Sequence, residues 1–391
     1  MAVDTGREIV ADARLEEPWR QWRESRPAAR VLHFDSAAAG RSSIATLRAT
    51  AAHAERESVV GAYLAEAEAE PVIEQGRADL ANLLGFPAAG IAFTESASAA
   101  RTALLAAWPV QPGDTVAVAP SEWGPNLSAF AGAGMRVAEL AAHEDGVIDL
   151  AGLERMLADE PPTFVHLTQV ASHRGLVQPV AAAARLCTCA GVPLWVDGAQ
   201  TIGHSTEATG ADIWYGTSRK WLTGPRGVGM LAVRERWWDR LRITDNPLGR
   251  SALPADASPV RMLESAEANV AGRVGLCSAV RDYLDVGPAR VHDRLAQVGK
   301  LTRLALGDLP GWTVDGSPTA PSAITALLPD QDQEVAKVRA RLIAEHGIVT
   351  TYASPLRAPG EMTRSALRIS PHVDCTAADL AALRAAIEAL G

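Results

Sequence analysis

The amino-acid sequence predicts an α/β fold, with a large domain built on a mainly parallel, doubly covered sheet and a smaller α+β domain at the carboxyl end. From about residue 75 to 235, short apolar runs alternate with alanine-rich helical stretches, and the pattern changes after about residue 285. Such alternation is typical of parallel strands whose crossover helices cover both faces of a sheet. A chain of 391 residues also exceeds one ordinary core, so two domains are expected.

Seven apolar runs are the predicted strands of the large sheet, and helices over 74–84 and 180–190 are two of its covers. Another helix begins after Asp149, a capping residue, and ends before the break at Pro161 and Pro162. The predicted strands are IAF at 91–93, TVAVAP at 115–120, RVAEL at 136–140, FVHLTQV at 164–170, PLWVDGA at 193–199, IWYGT at 213–217 and VGMLAV at 228–233.

The carboxyl-terminal part mixes helices and strands in another pattern. An amphipathic helix over 291–306 is followed by the strands WTVDG, ITALLP, GIVTTYA and LRISPHV, a helix around 333–345, and a last helix after the capping residue Thr376. We therefore divide the chain into three parts. These are an N-terminal segment at 1–45 that packs with the small domain, a large domain at 46–285 that holds the cofactor, and a small domain at 286–391.

Composition and charge exclude several classes of protein. No apolar run approaches the roughly 18 residues that span a bilayer, and the first thirty residues mix acidic and basic side chains without an apolar core segment. The net charge of -9 and the absence of a basic cluster argue against nucleic acid or an anionic membrane as partner. The spacing of the 4 cysteines fits neither a disulfide framework nor a zinc site. A cytoplasmic protein that acts on a small molecule is expected.

Two segments place reactive side chains just after predicted strands, where a doubly wound sheet holds its ligands. In VDGAQ, Asp197 ends a strand and Gln200 follows it, so the carboxylate suits a pyridine nitrogen and the amide suits a neighbouring phenolic oxygen. In GTSRKWLTGPRGVG, Lys220 suits an imine with an aldehyde cofactor, and Thr217 or Arg219 suits its phosphate. Taken singly, Asp197 is equally a helix cap and Lys220 a solvated surface residue.

Two further segments follow earlier strands. FTESASAA opens a helix with Ser96, Ala97 and Ser98, small residues that let backbone N–H groups approach an anion. SEWGPN places Trp123 just past a strand, where its ring can stack on a planar cofactor. An ordinary N-cap and a packed tryptophan are the alternatives. The combination of all four segments indicates a cofactor site more strongly than any one of them.

The order of these motifs resembles that of a known family. FDSAAAG, TESASAA, SEWGPN, VDGAQ, SRKWLTGPRGVG and a late LRIS are similar to the cysteine-desulfurase-like branch of fold-type I pyridoxal-phosphate enzymes, also called aminotransferase class V. Within it, HLTQVASHRG, EANVAGRVG, IVTTYA and LRISPHVD look most like the hercynylcysteine sulfoxide lyases of ergothioneine biosynthesis. The resemblance runs from about residue 30 to the end, and it implies the fold-type I architecture, pyridoxal 5'-phosphate and a homodimer.

The resemblance implies a role for each matching residue. Lys220 would hold the cofactor as a Schiff base and act as the catalytic base, while Asp197 pairs with the ring nitrogen and Gln200 with the phenolic oxygen. Arg368 in LRIS would bind the substrate α-carboxylate, because the guanidinium fork matches a carboxylate. The remaining cofactor contacts implied are Trp123 on the ring, Ala97, Ser98, Thr217 and Arg219 at the phosphate, and Asn269 as a contribution across the subunit boundary.

The S-substituent of the implied substrate carries a trimethylated histidine, which needs a polar and aromatic pocket. A quaternary ammonium favours aromatic rings such as those of tyrosine. The residues predicted to bind substrate, beside Arg368, are Ala37, Tyr63, Asn126, Ser172, His173, Arg174, Tyr352 and His372.

One departure decides between branches of the family. Cysteine desulfurases carry a catalytic cysteine on a loop after the GI motif of the small domain, whereas GIVTTYASPLRAPG has no thiol and Cys375 lies beyond Arg368. We therefore expect Lys220 to remove the Cα proton, followed by β-elimination that gives a sulfenate, pyruvate and ammonia. Epimerisation, transamination and antibiotic-pathway processing of an S-conjugate are the alternatives. A nucleotide-binding module is disfavoured because no GxGxxG follows the early strands.

Overall fold

The structure is a computed structural model that describes residues 16–206, 209–243, 257–265, 267–331 and 333–390. Its strands are β1 (Leu32–His33), β2 (Ile91–Thr94), β3 (Thr115–Val118), β4 (Arg136–Glu139), β5 (Phe164–Thr168), β6 (Leu194–Asp197), β7 (Ile213–Thr217), β8 (Gly229–Val233), β9 (Trp312–Asp315), β10 (Thr325–Pro329), β11 (Ile348–Val349), β12 (Thr351–Ala353) and β13 (Ala366–Ile369). Its α-helices are α1 (Glu17–Glu24), α2 (Ile44–Val60), α3 (Ala62–Leu84), α4 (Ala97–Ala107), α5 (Gly124–Gly132), α6 (Leu150–Asp159), α7 (Val180–Ala190), α8 (Val270–Val286), α9 (Pro288–Leu306), α10 (Val335–His346) and α11 (Ala377–Leu390).

The central sheet has seven strands in the order β2-β8-β7-β6-β5-β3-β4. The pairs among β3 to β7 are parallel, whereas β8 is antiparallel to both of its neighbours, β2 and β7. The prediction of a mainly parallel α/β sheet is confirmed. The reversal of β8 follows from its connection, because the turn from Ser218 to Val228 contains no crossover helix and can only return the chain antiparallel.

Helices cover both faces of this sheet, as predicted. On β5, Val165 and Leu167 face the core under α3, α6, α7 and α8, while Phe164 packs on the other face with α4 and α5. Both sets of side chains are fully buried. Burial on two faces explains why these strands are continuous apolar runs rather than alternating ones.

The small domain packs three helices on a four-stranded antiparallel sheet in the order β12-β13-β10-β9. Leu306, Leu342 and Leu383 from α9, α10 and α11 share its core with Leu327 and Leu367 from the sheet. The segment before α2 joins this domain, because β1 pairs in parallel with β11. Gly287 separates α8 from α9, next to the predicted boundary at 285/286, and the domain limits remain predictions.

Parallel strands bring their carboxyl ends to one edge of the sheet, and the small domain docks there. Nη1 of Arg368 on β13 donates to the carbonyl of Ser172, which follows β5, at 2.9 Å. The N-terminal segment also crosses this edge, where a Cβ on Gly40 would lie 2.4 Å from the carbonyl oxygen of Lys220. In the described ranges, no helix is both long and apolar enough to span a membrane.

Replacing Leu167 by alanine tests the role of the central strand. Leu167 is fully buried on β5, so the cavity left behind should lower the free energy of unfolding by about 2–5 kcal/mol. Denaturant unfolding followed by circular dichroism measures the loss. The matched control is Leu304→Ala, whose side chain is 41% exposed and whose loss should stay below about 1 kcal/mol. Equal losses in the two variants would contradict the assignment of β5 to the core.

Candidate active site

A cavity of about 290 Å³ lies at the carboxyl edge of the central sheet, beneath the small domain. It receives residues from the ends of β5, β6 and β7, from the start of α4 and α5, and from β13. Its lining comprises Ala37, Ala38, Ser96, Ala97, Ser98, Trp123, Asn126, Thr168, Ser172, Asp197, Ala199, Gln200, Tyr215, Thr217, Arg219, Lys220, Arg357 and Arg368.

One part of the cavity is built to receive an anion. Ser96 caps α4 by accepting the N–H of Ala99 at 3.1 Å, and the N–H groups of Ala97 and Ser98 in that first turn have no partner within the helix. A Cβ on Gly229 would lie 2.4 Å from the carbonyl carbon of Ser96, so only glycine lets β8 pass this close to the helix start. Arg219 adds a guanidinium, anchored on the carbonyl of Ala38.

Asp197 and Gln200 are held firmly in another part of the cavity. Asp197 accepts the N–H of Ala199 at 2.9 Å on Oδ1 and the Nδ2 of Asn126 at 3.0 Å on Oδ2. Trp221 donates its indole N–H to Oε1 of Gln200 at 2.8 Å, which fixes the orientation of that amide. The Nε2 of Gln200 donates one N–H to the carbonyl of Ala37 at 2.9 Å. Its second N–H is available for a ligand oxygen.

Lys220 follows β7 and faces the same cavity as Asp197. Burial lowers the pKa of its amine to about 7, with Asp197 acting in the opposite direction and Arg219 and Arg368 adding to the decrease. Near neutral pH, a large fraction of the amine is therefore uncharged. An uncharged lysine is both a nucleophile toward an aldehyde and a general base.

Arg368 is fully buried beside Lys220 and stays cationic. Its Nη2 donates to Asp35 at 3.1 Å and to Thr351 at 3.0 Å. Burial, reinforced by the nearby charge of Arg357, lowers its pKa only to about 10. The buried Nε has no hydrogen-bond partner among the described residues. That free N–H suits a carboxylate brought in by a ligand.

A buried hydrogen-bond network supports Asp197 from below. Oε1 of Glu122 accepts three hydrogen bonds: from the hydroxyl of Thr168 at 2.6 Å, from Nδ2 of Asn126 at 2.8 Å and from the backbone N–H of Trp123 at 2.8 Å. Its Oε2 lies 2.9 Å from Nδ1 of His166. Burial by itself would raise the pKa of Glu122, but His166 and these donors hold it below its ordinary value. The network therefore contains a buried carboxylate with three hydrogen-bond donors on Oε1 and the ring of His166 beside Oε2.

Tyr215 closes the other end of this network. Its hydroxyl lies 2.7 Å from Nε2 of His166. Burial, with the charges of Asp197 and Glu122, raises the pKa of Tyr215 well above its ordinary value, so the phenol stays protonated.

The structure brings together most of the residues that the sequence indicates. Twelve of them line the cavity: Ala37, Ala97, Ser98, Trp123, Asn126, Ser172, Asp197, Gln200, Thr217, Arg219, Lys220 and Arg368. Their roles toward a ligand remain predictions. For Asn126, the hydrogen bonds point inward, because its Oδ1 accepts Nη1 of Arg101 at 2.8 Å and its Nδ2 serves both Glu122 and Asp197. We therefore assign Asn126 to the orientation of Asp197 rather than to contact with substrate.

Six predicted residues lie outside this cavity within the single chain. Asn269 uses its Oδ1 to cap α8, by accepting the N–H of Gly272 at 2.8 Å. Tyr63 is 83% exposed on α3, and Tyr352 is 38% exposed, with its hydroxyl 3.0 Å from Oγ of Ser365.

The two histidines are occupied elsewhere. His173, with Arg174, contacts Glu361 in a separate cavity of about 450 Å³. His372 lines a larger cavity of about 760 Å³ near α1, where its ring stacks on Trp22 with centroids 5.1 Å apart. Burial lowers the pKa of His372 to about 3, so it carries no charge at neutral pH. Contact of these residues with substrate remains a prediction that the single chain does not support.

The sequence did not indicate four residues that line the cavity or belong to the buried network around Glu122. Thr168, like Thr217, is the last residue of a parallel strand, a position that could have marked it in advance. Glu122 stands beside Trp123 in a motif where only the aromatic ring drew attention. Tyr215 and Arg357 carry no local signal, because their roles depend on the pairing of β6 with β7 and on the docking of the small domain.

Comparisons with known proteins agree with this geometry. The model of the family Aminotransferase class-V matches residues 32–383. The chain is 46% identical over 374 residues to the "Probable hercynylcysteine sulfoxide lyase" of Mycobacterium tuberculosis, covering 94% of this chain and 92% of that protein.

Solved structures show the same fold. The apo cysteine desulfurase of Thermococcus onnurineus has a TM-score of 0.83 at 20% identity, over 97% of this chain and 99% of its own. The cystine C-S lyase C-DES has a TM-score of 0.81 at 18% identity, over 92% of this chain and 98% of its own. A second structure of C-DES carries glycine covalently linked to its PLP cofactor.

The chain belongs to the aminotransferase class-V family. Its cofactor is pyridoxal 5'-phosphate, and the fold-type I architecture predicted from the sequence is confirmed. The cavity fits this group, because the start of α4 and Arg219 suit the phosphate, Asp197 suits the pyridine nitrogen, and Lys220 has an amine of lowered pKa.

The lowered pKa of Lys220 predicts how the cofactor is taken up. Only the neutral amine attacks the aldehyde, so the rate of reconstitution of apoenzyme should fall about tenfold per pH unit below pH 7 and level off above it. Stopped-flow absorbance during addition of pyridoxal phosphate measures this rate. A rate that keeps rising tenfold per pH unit up to about pH 10 would mean that Lys220 titrates like an ordinary lysine.

Asn126→Ala tests the support of Asp197. The variant removes one donor from Asp197 and one from Glu122, so the dissociation constant for pyridoxal phosphate should rise about tenfold, the equivalent of one charge-assisted hydrogen bond. Absorbance titration of the apoenzyme measures this constant. Asn82→Ala on the exposed face of α3 is the matched control, and equal constants for both variants would contradict the assignment.

Proposed function

We propose that this protein is a C–S lyase that cleaves hercynylcysteine sulfoxide by β-elimination, giving a sulfenate, pyruvate and ammonia. One observation carries the proposal: Lys220, Asp197 and Arg368 share a cavity whose lining includes no cysteine among the described residues. The 46% identity to a protein named as a probable hercynylcysteine sulfoxide lyase supports the choice of substrate.

Each of three residues in the cavity has a separate role in the proposed elimination. Arg368 binds the α-carboxylate and so orients the Cα–H bond, and Lys220 accepts the Cα proton on Nζ. Pyridoxal phosphate, when bound, supplies an electron sink for the pair left on Cα. Asp197 sustains that sink, because a carboxylate next to the ring nitrogen favours its protonated form.

The small-domain loop supports elimination over persulfide formation. Thr351 on this loop contacts Asp35 and Arg368, and Tyr352 points toward Ser365, so no side chain of the turn offers a sulfur nucleophile. Cys375 is held in the small domain, where burial raises its pKa well above the ordinary value of a thiol. A protonated thiol is a poor nucleophile.

The proposal includes a homodimer in the cytoplasm. Support for a partner chain comes from the junction of α2 and α3, where Val59, Tyr63 and Leu64 are 75%, 83% and 54% exposed. Neighbouring apolar side chains at this exposure are typical of an interface. Asn269 is then the residue through which we expect one subunit to complete the site of the other.

Lys220→Ala tests the proposed reaction. Because Lys220 is the base for the Cα proton, its loss should lower pyruvate release from hercynylcysteine sulfoxide by about 10³-fold or more. The coupled oxidation of NADH by lactate dehydrogenase measures pyruvate. Lys300→Ala on α9 is the matched control, since this lysine is exposed, and it should retain wild-type activity.

The wild-type enzyme should release pyruvate from the sulfoxide and should release no sulfide from L-cysteine. Faster turnover of L-cysteine than of the sulfoxide would contradict the proposed substrate. Full activity of Lys220→Ala would contradict the proposed base.

A further inference from the structure

We infer that Arg357 binds the oxygen on the substrate sulfur and stabilises the sulfenate as it leaves, so that the enzyme selects S-oxidised cysteine conjugates over thioethers. This inference rests on the proposed function, because it identifies the residue that recognises the S-substituent of the substrate in the same cavity.

Among the described residues, Arg357 is the one cation of the cavity lining that has no role in the mechanism proposed above. The lining holds four cationic side chains, those of Arg219, Lys220, Arg357 and Arg368, against one carboxylate, that of Asp197. Arg219 serves the anion end beside α4, Arg368 serves the α-carboxylate, and Lys220 is the base. The cavity therefore keeps one guanidinium for a further negative charge.

The guanidinium of Arg357 has unused hydrogen-bond donors. Its Nε is buried and has no hydrogen-bond partner among the described residues. Burial lowers its pKa, and the charge of Asp35 only partly opposes this effect. A buried donor without a partner is costly, so it is ready to pair with an acceptor that a substrate brings in.

The position of Arg357 matches that of the sulfur substituent. Its charge is the main neighbouring charge that lowers the pKa of Arg368, and it also lowers the pKa of Lys220, so the guanidinium lies near both. Arg357 lines the same cavity as Arg368 and Lys220. In an amino acid whose carboxylate lies on Arg368 and whose Cα–H faces Lys220, we therefore place the group on Cβ against Arg357.

The loop that carries Arg357 is fixed rather than loosely attached. Pro355–Arg357 form a 3-10 turn, and the N–H of Arg357 donates to the carbonyl of Ser354 at 2.9 Å. A Cβ on Gly124 would lie 2.1 Å from the carbonyl oxygen of Leu356, so the turn packs directly on the start of α5, next to Trp123. This close approach fixes the backbone of the turn whose Arg357 lines the cavity.

The chemistry of the leaving group gives Arg357 its role. During elimination the Cα–H proton passes to Lys220, its electron pair forms the Cα–Cβ double bond, and the Cβ–S pair leaves with sulfur as a sulfenate. No oxidant or reductant enters this step. The oxygen is already partly negative in the sulfoxide and gains charge as the bond breaks, whereas a thioether sulfur is a weak acceptor. A fixed guanidinium therefore favours the sulfoxide most in the transition state.

Paired substrates and Arg357→Gln test the inference on the holoenzyme. The substrates are S-methyl-L-cysteine S-oxide and S-methyl-L-cysteine, assayed by pyruvate release. Arg357→Gln should lower kcat/KM for the sulfoxide by about 10²–10³-fold and change that for the thioether less than about threefold. Arg357→Lys, which keeps a charge without the fork, should recover part of the sulfoxide activity.

A binding measurement separates the sulfur oxygen from the α-carboxylate. L-Alanine has the carboxylate but no sulfur, and its dissociation constant follows from its effect on the visible absorbance of the bound cofactor. That constant should be the same in wild type and Arg357→Gln. Arg364→Gln is the matched control, because Arg364 is exposed on the same loop, donates to the carbonyl of Pro329 and lies outside the cavity. Equal cofactor content and melting temperature exclude a folding defect.

Two results would overturn the inference: an equal loss with sulfoxide, thioether and L-alanine, which would make Arg357 a carboxylate ligand, or no loss with the sulfoxide. If wild type released pyruvate from neither S-methyl compound nor from hercynylcysteine sulfoxide, the proposed function itself would fail. The same absorbance titration with S-methyl-L-cysteine S-oxide would then decide the inference separately, because equal dissociation constants for wild type and Arg357→Gln would overturn it.

Discussion

The buried carboxylate of Glu122 is the interaction on which the site depends. A charge without water must be surrounded by donors, and Glu122 receives them from the loop after β3, from α5 and from β5. Asn126 extends the contact to Asp197 at the end of β6, and His166 extends it to Tyr215 on β7. One carboxylate thereby links five neighbouring elements and, through Asn126, orients Asp197, the residue that we predict to face the cofactor ring.

The same low-dielectric environment determines the charges inside the cavity. Burial removes water from Lys220 and lowers its pKa, while the two guanidiniums of Arg357 and Arg368 stay cationic because the ordinary pKa of arginine is so high. Near neutral pH, the site therefore holds an amine that is uncharged to a large extent, beside fixed cations. That combination suits removal of a proton from an amino acid whose carboxylate and leaving group are both anionic.

In the proposed reaction, the small-domain loop determines which step follows proton removal. A thiol at this position would attack the substrate sulfur, whereas the loop here supplies Arg357, which can neither accept nor donate a sulfur atom. A guanidinium can only stabilise an anion that leaves. In the proposed reaction, elimination follows from the absence of a thiol on this turn, and selection for an oxidised sulfur follows from Arg357 on the same turn.

The sequence by itself determined the α/β class, the strand positions, and most of the residues that line the cavity, because strand ends such as those at Asp197 and Thr217 carry local patterns. It also determined that the loop lacks a thiol. Only the tertiary structure decided the reversal of β8, the inward role of Asn126, the Glu122 network and the place of Arg357. These features depend on contacts between segments as far apart in the chain as α5 and the 3-10 turn at Pro355–Arg357, and burial, which sets the pKa of Lys220, exists only once those segments have packed.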